Sequence, residues 1–384
     1  MKNVYKKSLA LHKKHGGKIE VCSKVRVKNR DDLSLAYTPG VGQVCLEIAK
    51  KPELAYTYTI KKNTIAVVSD GSAVLGLGNL GAKGAIPVME GKALLFKEFG
   101  NVDAFPICLD TQDTEEIIKA VKQLAPVFGG INLEDISAPR CFEIERRLRA
   151  ELDIPVMHDD QHGTAMVVLA GLINAIKLRK IKKEEAKILI NGTGAAGTAI
   201  ARILVSAGFK KIILCDSQGS ITENRVGLNS EKKDLLNFIK AKTGSYENVE
   251  GDLEKVIKNR DIFIGVSKAG VLTKDLVKSM NEKPIIFAMA NPIPEIMPDE
   301  AILAGAFIVA TGRSDFANQV NNVLGFPGIF RGAFDNKIKQ FNDAMFARGA
   351  EALASCVKKP TKDNILPKPF DKKVVKAVAK AFKE

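Results

Sequence analysis

The chain has 384 residues, with 58 Lys and Arg against 44 Asp and Glu, a formal net charge of +14, and 46% hydrophobic residues. That length suits two domains, and that composition a cored globular protein rather than a disordered one. No apolar run reaches the ~18–20 residues of a membrane helix, and the lysines are scattered, in short solvated pairs such as Lys61-Lys62, without aromatic stacking motifs. Neither a membrane nor nucleic acid is therefore expected as a partner, whereas attraction of small anionic acids is compatible with the charge.

In chain order, 1–20 reads as a Lys-rich helix ending at Gly16-Gly17, with no apolar stretch behind Lys2, Lys6 and Lys7 to make a secretory signal. Alternation predicts a strand at 21–27. Asp31 to Gly42 reads as a turn, stiffened by Pro39 and Gly40, before a helix at 43–50. A buried strand is expected at 65–69. The glycine-rich stretch 70–81 follows, and its end, Gly76, Gly78 and Gly81, has G-x-G-x-x-G spacing. It stands away from the preceding strand, and Pro87 interrupts the region that would be its helix. It is expected to be a loop packed close to a ligand or another backbone, not a dinucleotide site.

A helix at 87–99 carries Lys92, with a strand at 104–109 and a helix at 113–124 behind it. Residues 129–133 lead into Glu134-Asp135, and an arginine-rich helix occupies 139–150. A strand at 154–157 hands over to His158-Asp159-Asp160-Gln161-His162-Gly163-Thr164. A long apolar helix at 165–177 reads as the bridge between two domains.

Residues 187–216 have the organisation strand, glycine turn, helix, strand, acid. Gly192, Thr193, Gly194, Ala195, Ala196 and Gly197 form a second G-x-G-x-x-G, and Asp216 closes the next strand. Glycines at these points allow a tight turn, close approach to a pyrophosphate and close helix-on-strand packing, and the acid suits ribose hydroxyls. This context predicts a nicotinamide-dinucleotide site. Strands at 261–266, 284–289 and 306–310 continue the alternation, each handing a polar loop to its carboxyl end, where doubly wound sheets bind ligands. Helices at 343–356 and 371–383 complete the chain. Cysteines 22, 45, 108, 141, 215 and 356 form no Cys-x-x-Cys pair and read as buried, reduced thiols of a cytoplasmic protein.

Hydride chemistry needs partners beyond the dinucleotide. Glu134-Asp135 and Asp159-Asp160 are carboxylate pairs at strand ends, a donor type that suits Mg²⁺ or Mn²⁺ as readily as helix capping or surface charge. His158 and His162 lack the pattern of a zinc motif. Lys92 lies among apolar residues, where a lowered pKa would make it a base.

Taken together, these stretches resemble the malic enzyme family in its short bacterial form. The matching blocks are Tyr37-Thr-Pro-Gly-Val-Gly42, Ser69 to Gly81, Met89-Glu-Gly-Lys92 to Phe96, Asn132-Leu-Glu134-Asp135, His158 to Thr164, Ala290-Asn291-Pro292, and Asn318 to Asn322 before Phe326-Pro-Gly328. The resemblance implies an α/β protein with an N-terminal catalytic domain over 1–160 and a Rossmann-like, doubly wound NAD-binding domain with C-terminal helices over 161–384. It implies Tyr37 as general acid, Lys92 as general base and Asp159 as the carboxylate partnering the lysine. Glu134, Asp135 and Asp160 would be the metal ligands, and Asn291 and Asn322 the substrate amides near the nicotinamide. The implied reaction converts L-malate to pyruvate and CO₂ with reduction of NAD, NADP being possible, in a homodimer or larger homo-oligomer.

Two departures stand out. Longer relatives bind a malate carboxylate through an arginine where this chain has Ser72-Ala73-Val74, which leaves that carboxylate to other groups. The segment after the second Rossmann strand, Asp216-Ser-Gln-Gly219, has an acid and no adjacent arginine, which favours NAD. The chain's end near residue 384 leads to the expectation that the acyl-transferase-like domain of the longest bacterial relatives is lacking. The competing readings are another two-domain dehydrogenase of hydroxy or amino acids, for which metal independence would speak, and a non-catalytic dinucleotide-binding protein.

Overall fold

Two parallel sheets carry the molecule, and both point the carboxyl ends of their strands at polar loops. The structure, a computed structural model, describes residues 2–383. It opens with helices α1 (Lys2–His15), α2 (Arg30–Ala36), α3 (Gly40–Lys50) and the short α4 (Ala55–Tyr58). The first sheet has β1 (Thr64–Ser69), β2 (Asp103–Cys108), β3 (Gly130–Leu133) and β4 (Val156–His158), all parallel, in the order β2-β1-β3-β4. Its crossovers are α5 (Gly81–Gly100), α6 (Thr114–Leu124) and α7 (Arg140–Glu151). Helix α8 (Asp159–Arg179) leads to the second sheet. That sheet comprises β5 (Lys187–Asn191), β6 (Lys211–Asp216), β7 (Gly219–Ser220), β8 (Ile262–Gly265), β9 (Ile285–Ala288) and β10 (Ile308–Thr311). Its order is β10-β9-β8-β5-β6-β7, parallel except for β7. Helix α9 (Ala195–Ser206) joins β5 to β6, and α10 (Ser230–Thr243) follows β7.

In the second sheet the chain winds outward from β5 in both directions. The crevice between β5 and β8 is therefore its topological switch point, where ligands of such sheets bind. Strands in both sheets are continuous apolar runs, as strands covered on both faces must be. One large core joins α5, α8 and α9 to the C-terminal helices α11 (Phe326–Asp335), α12 (Asp343–Ser355) and α13 (Lys372–Ala381). Phe96 of α5 meets Phe326 and Phe330 of α11 at ring-centroid distances of 4.6 and 5.6 Å, so the C-terminal helices brace the first sheet as well as the second.

The structure corrects several expectations. No strand forms at 21–27: Val21 and Val25 are 83% and 61% exposed, because no neighbouring strand takes up the backbone hydrogen bonds that the alternation would offer. Residues 31–36 belong to α2, capped by Asn29, rather than to a turn. Helix α5 starts at Gly81 and runs through Pro87. The lost N–H is outweighed by burial of Ala82, Ala85, Met89, Ala93 and Phe96 along one face. Helix α8 starts at Asp159, six residues before the predicted point, so the His158–Thr164 motif is a strand end and a helix start. Cys22 and Cys45 are exposed, and only Cys141 and Cys215 are buried; all six thiols are free. Lys61 is buried, not solvated, and its Nζ donates to the carbonyls of Ala125 and Phe128 at 3.0 and 2.7 Å.

Candidate active site

The switch-point geometry explains the glycines at 192–197. Gly192 has φ +110°, and a Cβ there would lie 2.5 Å from the Val266 carbonyl beyond β8. A Cβ on Gly197 would lie 1.8 Å from the Gly192 carbonyl, so α9 can approach β5 only with glycine at that point. Gly194, the N-cap of α9, faces open space, and the helix N-terminus there offers N–H groups to a pyrophosphate. The turn is tied to the end of β6: Gly192 N–H and Thr193 Oγ1 donate to the Cys215 carbonyl at 2.9 and 2.8 Å. Asp216 therefore stands beside the turn.

The first G-x-G-x-x-G, 76–81, is a loop against other backbone. A Cβ on Gly76 would come 2.8 Å from the Asn291 carbonyl, and one on Gly71 2.2 Å from the Gly81 carbonyl. The loop thus brings Asn291, from beyond β9, against the first sheet and closes the cleft.

In that cleft the first sheet assembles a buried charged cluster. Lys92, on the inner face of α5, is 8% exposed. Its Nζ donates to Asp159 Oδ2 in a short contact, lies 3.1 Å from Glu134 Oε1, and sits 4.4 Å from the Phe326 ring centroid. Asp159 and Asp160 occupy the first turn of α8, where the helix dipole favours anions, and they diverge. Asp159 goes to Lys92. Asp160 joins Glu134 and Asp135, the three offering oxygens within 4.8 Å of one another. Asp160 Oδ2 also accepts the Asp135 N–H at 3.0 Å.

The electrostatics differ from the expectation for Lys92. Burial alone would lower its pKa, but the charges of Asp159, Glu134 and Asp160 outweigh burial and hold it above the ordinary lysine value. Burial, with Asp160 adding to it, pushes Asp135 up to about 7. Glu134 is raised well above its usual value by burial, against the pull of Lys92. Buried carboxylates this close resist sharing negative charge unless a cation joins them. The all-oxygen donor set, and Asp135 Oδ2 buried without a hydrogen-bond partner, fit a hard divalent ion such as Mg²⁺ or Mn²⁺.

Asn322 lies beside this cluster: a Cβ on Gly163 would meet Asp159 Oδ1 at 1.9 Å and Asn322 Cβ at 3.4 Å. Tyr37 is not brought to the cluster by this chain alone. It caps the C-terminus of α2, is 66% exposed, and its hydroxyl bonds to none of the described residues.

The sequence reading missed several contributors. Asn132 Nδ2 donates to Glu134 Oε2 at 3.0 Å; period-two spacing on β3 could have signalled it. Glu145 of α7 is buried, accepts the His158 N–H at 3.0 Å and pairs with His162 Nε2 at 2.9 Å, fixing the start of α8. Near Ser72, Arg140 Nη2 is committed to Asp70 at 2.9 Å. No arginine adjoins Asp216 in the sequence, but the fold returns Arg225 to it, with Nη2 2.8 and 2.9 Å from its two oxygens.

Known proteins share this sequence and fold. The family profile described as malic enzyme, N-terminal domain, matches residues 16–149, and that described as malic enzyme, NAD binding domain, matches 161–382. A bifunctional malic/malolactic enzyme of Bacillus subtilis is 54% identical over 97% of this chain and 91% of its own. An NAD-dependent malic enzyme of Geobacillus stearothermophilus is 54% identical over 100% of this chain and 79% of its own. The crystal structure of an NAD-dependent malic enzyme from Thermotoga maritima superposes with a TM-score of 0.93 at 50% identity, covering 98% of both chains. On its sequence, its two-sheet fold and this cleft, the chain belongs to the malic enzyme family.

Proposed function

We propose that this protein converts L-malate to pyruvate and CO₂ with reduction of NAD⁺ or NADP⁺, aided by Mg²⁺ or Mn²⁺. The observation that carries the reading is the buried Lys92, held between Asp159 and Glu134 beside the carboxylates of Asp135 and Asp160, which share one point with Glu134. Glu134, Asp135 and Asp160 would hold the divalent cation, which would supply Lewis-acid charge to the substrate and offset the carboxylate charge around Lys92, and the glycine-turn crevice would hold the dinucleotide that serves as hydride acceptor. Lys92 takes the C2 hydroxyl proton, and Asp159 fixes its Nζ in place. Asn291 and Asn322 orient the substrate from the second sheet's side of the cleft. Tyr37 returns a proton to C3 once CO₂ has left.

The Tyr37 role calls for a second copy of the chain. The segment from Ile19 to Ile60 exposes Val21, Val25, Leu35, Tyr37, Leu46 and Tyr58, and α2 and α3 bury no residue. Covering that apolar face in a homodimer or larger homo-oligomer would exclude water around Tyr37. Six free thiols, two of them exposed, suit the reducing cytoplasm. The full chain with malate and Mn²⁺ is expected to release pyruvate in step with NADH or NADPH, and chelation to stop it. Absence of pyruvate with both dinucleotides, or turnover indifferent to chelation, would sink the reading.

A further inference from the structure

The loop after β9 carries a buried acid that the proposed reaction does not use. Glu295 is 0% exposed and, unlike Glu134 and Asp159, pairs with no cation among the described residues. Its partners are backbone N–H groups on two different loops. Oε1 accepts the Ser267 N–H beyond β8 at 2.9 Å, and Oε2 accepts the Ala290 N–H beyond β9 at 2.9 Å. Burial raises its pKa above the usual glutamate value, against the pull of these two donors. Keeping a carboxylate away from water is costly. What it provides here is one acceptor for each loop. Strand β8 is shaped to admit it: a Cβ on Gly265 would lie 2.5 Å from Glu295 Cδ.

The two loops differ in what else holds them. The end of β8 is fastened to β5, since the Val266 N–H donates to the Asn191 carbonyl at 2.9 Å and Asn191 Nδ2 donates to Ser267 Oγ at 2.9 Å. Asn191 directly precedes the glycine turn. The loop Ala290-Asn-Pro-Ile-Pro-Glu295 has two prolines, which donate no N–H. Its far end is tied to the β8 loop by the Gly270 N–H on the Pro294 carbonyl at 3.2 Å and the Leu272 N–H on the Glu295 carbonyl at 3.0 Å. Its near end is tied to that loop through the Ala290 N–H and the Glu295 side chain, one residue before Asn291. Asn291 is itself exposed. Its amide leans on Gly312, where a Cβ would come 3.2 Å from Nδ2 and 3.3 Å from Oδ1, and bonds to none of the described residues. The backbone behind Asn291 therefore sets where its amide stands.

We propose that Glu295 is a positioning residue for the reaction: its carboxylate clasps the loop after β9 to the end of β8, and so fixes Asn291 relative to the glycine turn. The substrate role of Asn291 rests on the malate reading, whereas the clasp does not. Glu295 touches no reacting atom; it acts through the loop. A displacement of about 1 Å in a substrate-orienting group is enough to slow turnover about a hundredfold.

The test uses the full-length protein. Glu295→Gln keeps the side-chain shape but leaves one oxygen for two N–H donors, with an NH₂ group turned toward the other. Its kcat/KM for malate is expected to fall about ten- to a hundredfold. Binding of 5′-AMP, a probe of the glycine turn alone, should stay within about twofold. Asn291→Ala lowers kcat/KM as well, and the double variant should be no worse than Asn291→Ala alone, because the clasp then has no amide to position. A residue that merely stabilises the fold would give losses that multiply. Gly265→Ala crowds the carboxylate without changing its charge; it should reproduce the malate effect, and it carries the measurement should Glu295→Gln fail to fold. Hydrogen exchange needs no turnover: in Glu295→Gln, peptides containing Ser267 and Ala290 should exchange about tenfold faster, and those of the first sheet at the natural rate. Losses that multiply, malate kinetics within about twofold of the natural chain, or unchanged exchange at Ser267 and Ala290 would each overturn the proposal. An inactive natural chain whose exchange responds to Glu295→Gln in this way would refute the malate reading and leave the clasp standing.

Discussion

Two charged clusters stand at the carboxyl ends of the two sheets, one around Lys92 and one around Asp216, and their surpluses have opposite sign. The Lys92 cluster sets four carboxylates, Glu134, Asp135, Asp159 and Asp160, against one ammonium, with the lysine, Glu134 and Asp159 almost wholly buried. Glu134, Asp135 and Asp159 titrate high, since burial disfavours their ionised form and the single lysine does not make up for it. The Asp216 cluster sets two cations against one acid. Burial would raise Asp216, but Lys232, the Gln218 N–H and Arg225 outweigh burial and hold its pKa below the usual value. The same residue type thus has opposite meanings in the two places. At 134–160 the acids outnumber their one cation, and at 216 the acid is the one that is saturated.

The comparison breaks most sharply at Lys92. Lys92→Ala removes the lone cation among four carboxylates and, with it, the proton acceptor of the proposed reaction. Steady-state turnover of malate is expected to fall by ~10²–10⁴-fold, the range for removing a general base. NADH binding, read from nicotinamide fluorescence, should change far less, since that site lies on the second sheet. Turnover within a few-fold of the natural chain would take Lys92 out of its assigned role.

How much of this was legible in the sequence follows the range of the interactions. The glycine turn was readable because its parts are close in sequence: strand, turn, helix and acid are set by local sterics and a single crossover. The strand cores were readable from unbroken apolar runs such as 65–68 and 188–190. The start of α8 was missed because His-Asp-Asp-Gln-His reads as a loop by polarity, although two acids followed by an apolar helix are themselves a helix-start signal. Pro87 was overweighted because propensity is local, whereas the buried face of α5 is set by contacts with α11, more than two hundred residues away. Arg225 was invisible for a similar reason: it comes back to Asp216 from an irregular loop whose path no periodicity encodes. The sharing of Glu134, Asp135 and Asp160 around one point came from the family resemblance, since spacing alone could not separate Asp160 from Asp159.

Gly163 offers a way to sharpen the first cluster without touching its charges. In an exposed helix interior, alanine in place of glycine stabilises by about 1 kcal/mol. At 163 a Cβ would lie 1.9 Å from Asp159 Oδ1, so the side chain that fixes Lys92 must shift. Gly163→Ala is therefore expected to lower the melting temperature, and to reduce turnover by roughly ten- to a hundredfold through misplacement of Lys92. A rise in melting temperature, as helix propensity alone dictates, would show that Asp159 moves freely and that its contact with Lys92 sets nothing.

The smallest effect, and the one that bears most directly on the contrast, is expected at Asp216. Asp216→Asn keeps the side-chain shape and removes the negative charge, raising the local surplus from one cation to two. If Asp216 were the ribose acceptor of an NAD-selective site, the substitution would cost NAD and release NADP from repulsion only. In the structure its oxygens are already occupied by Gln218, Arg225 and Lys232, so the acid chiefly restrains those two cations. Relief of that restraint should raise the ratio of kcat/KM for NADP⁺ to that for NAD⁺ by about tenfold, mostly through KM for NADP⁺. Two titrations of dinucleotide at saturating malate and Mn²⁺ measure it. A ratio that changes only because kcat/KM for NAD⁺ collapses would return Asp216 to the ribose-binding role its position suggested.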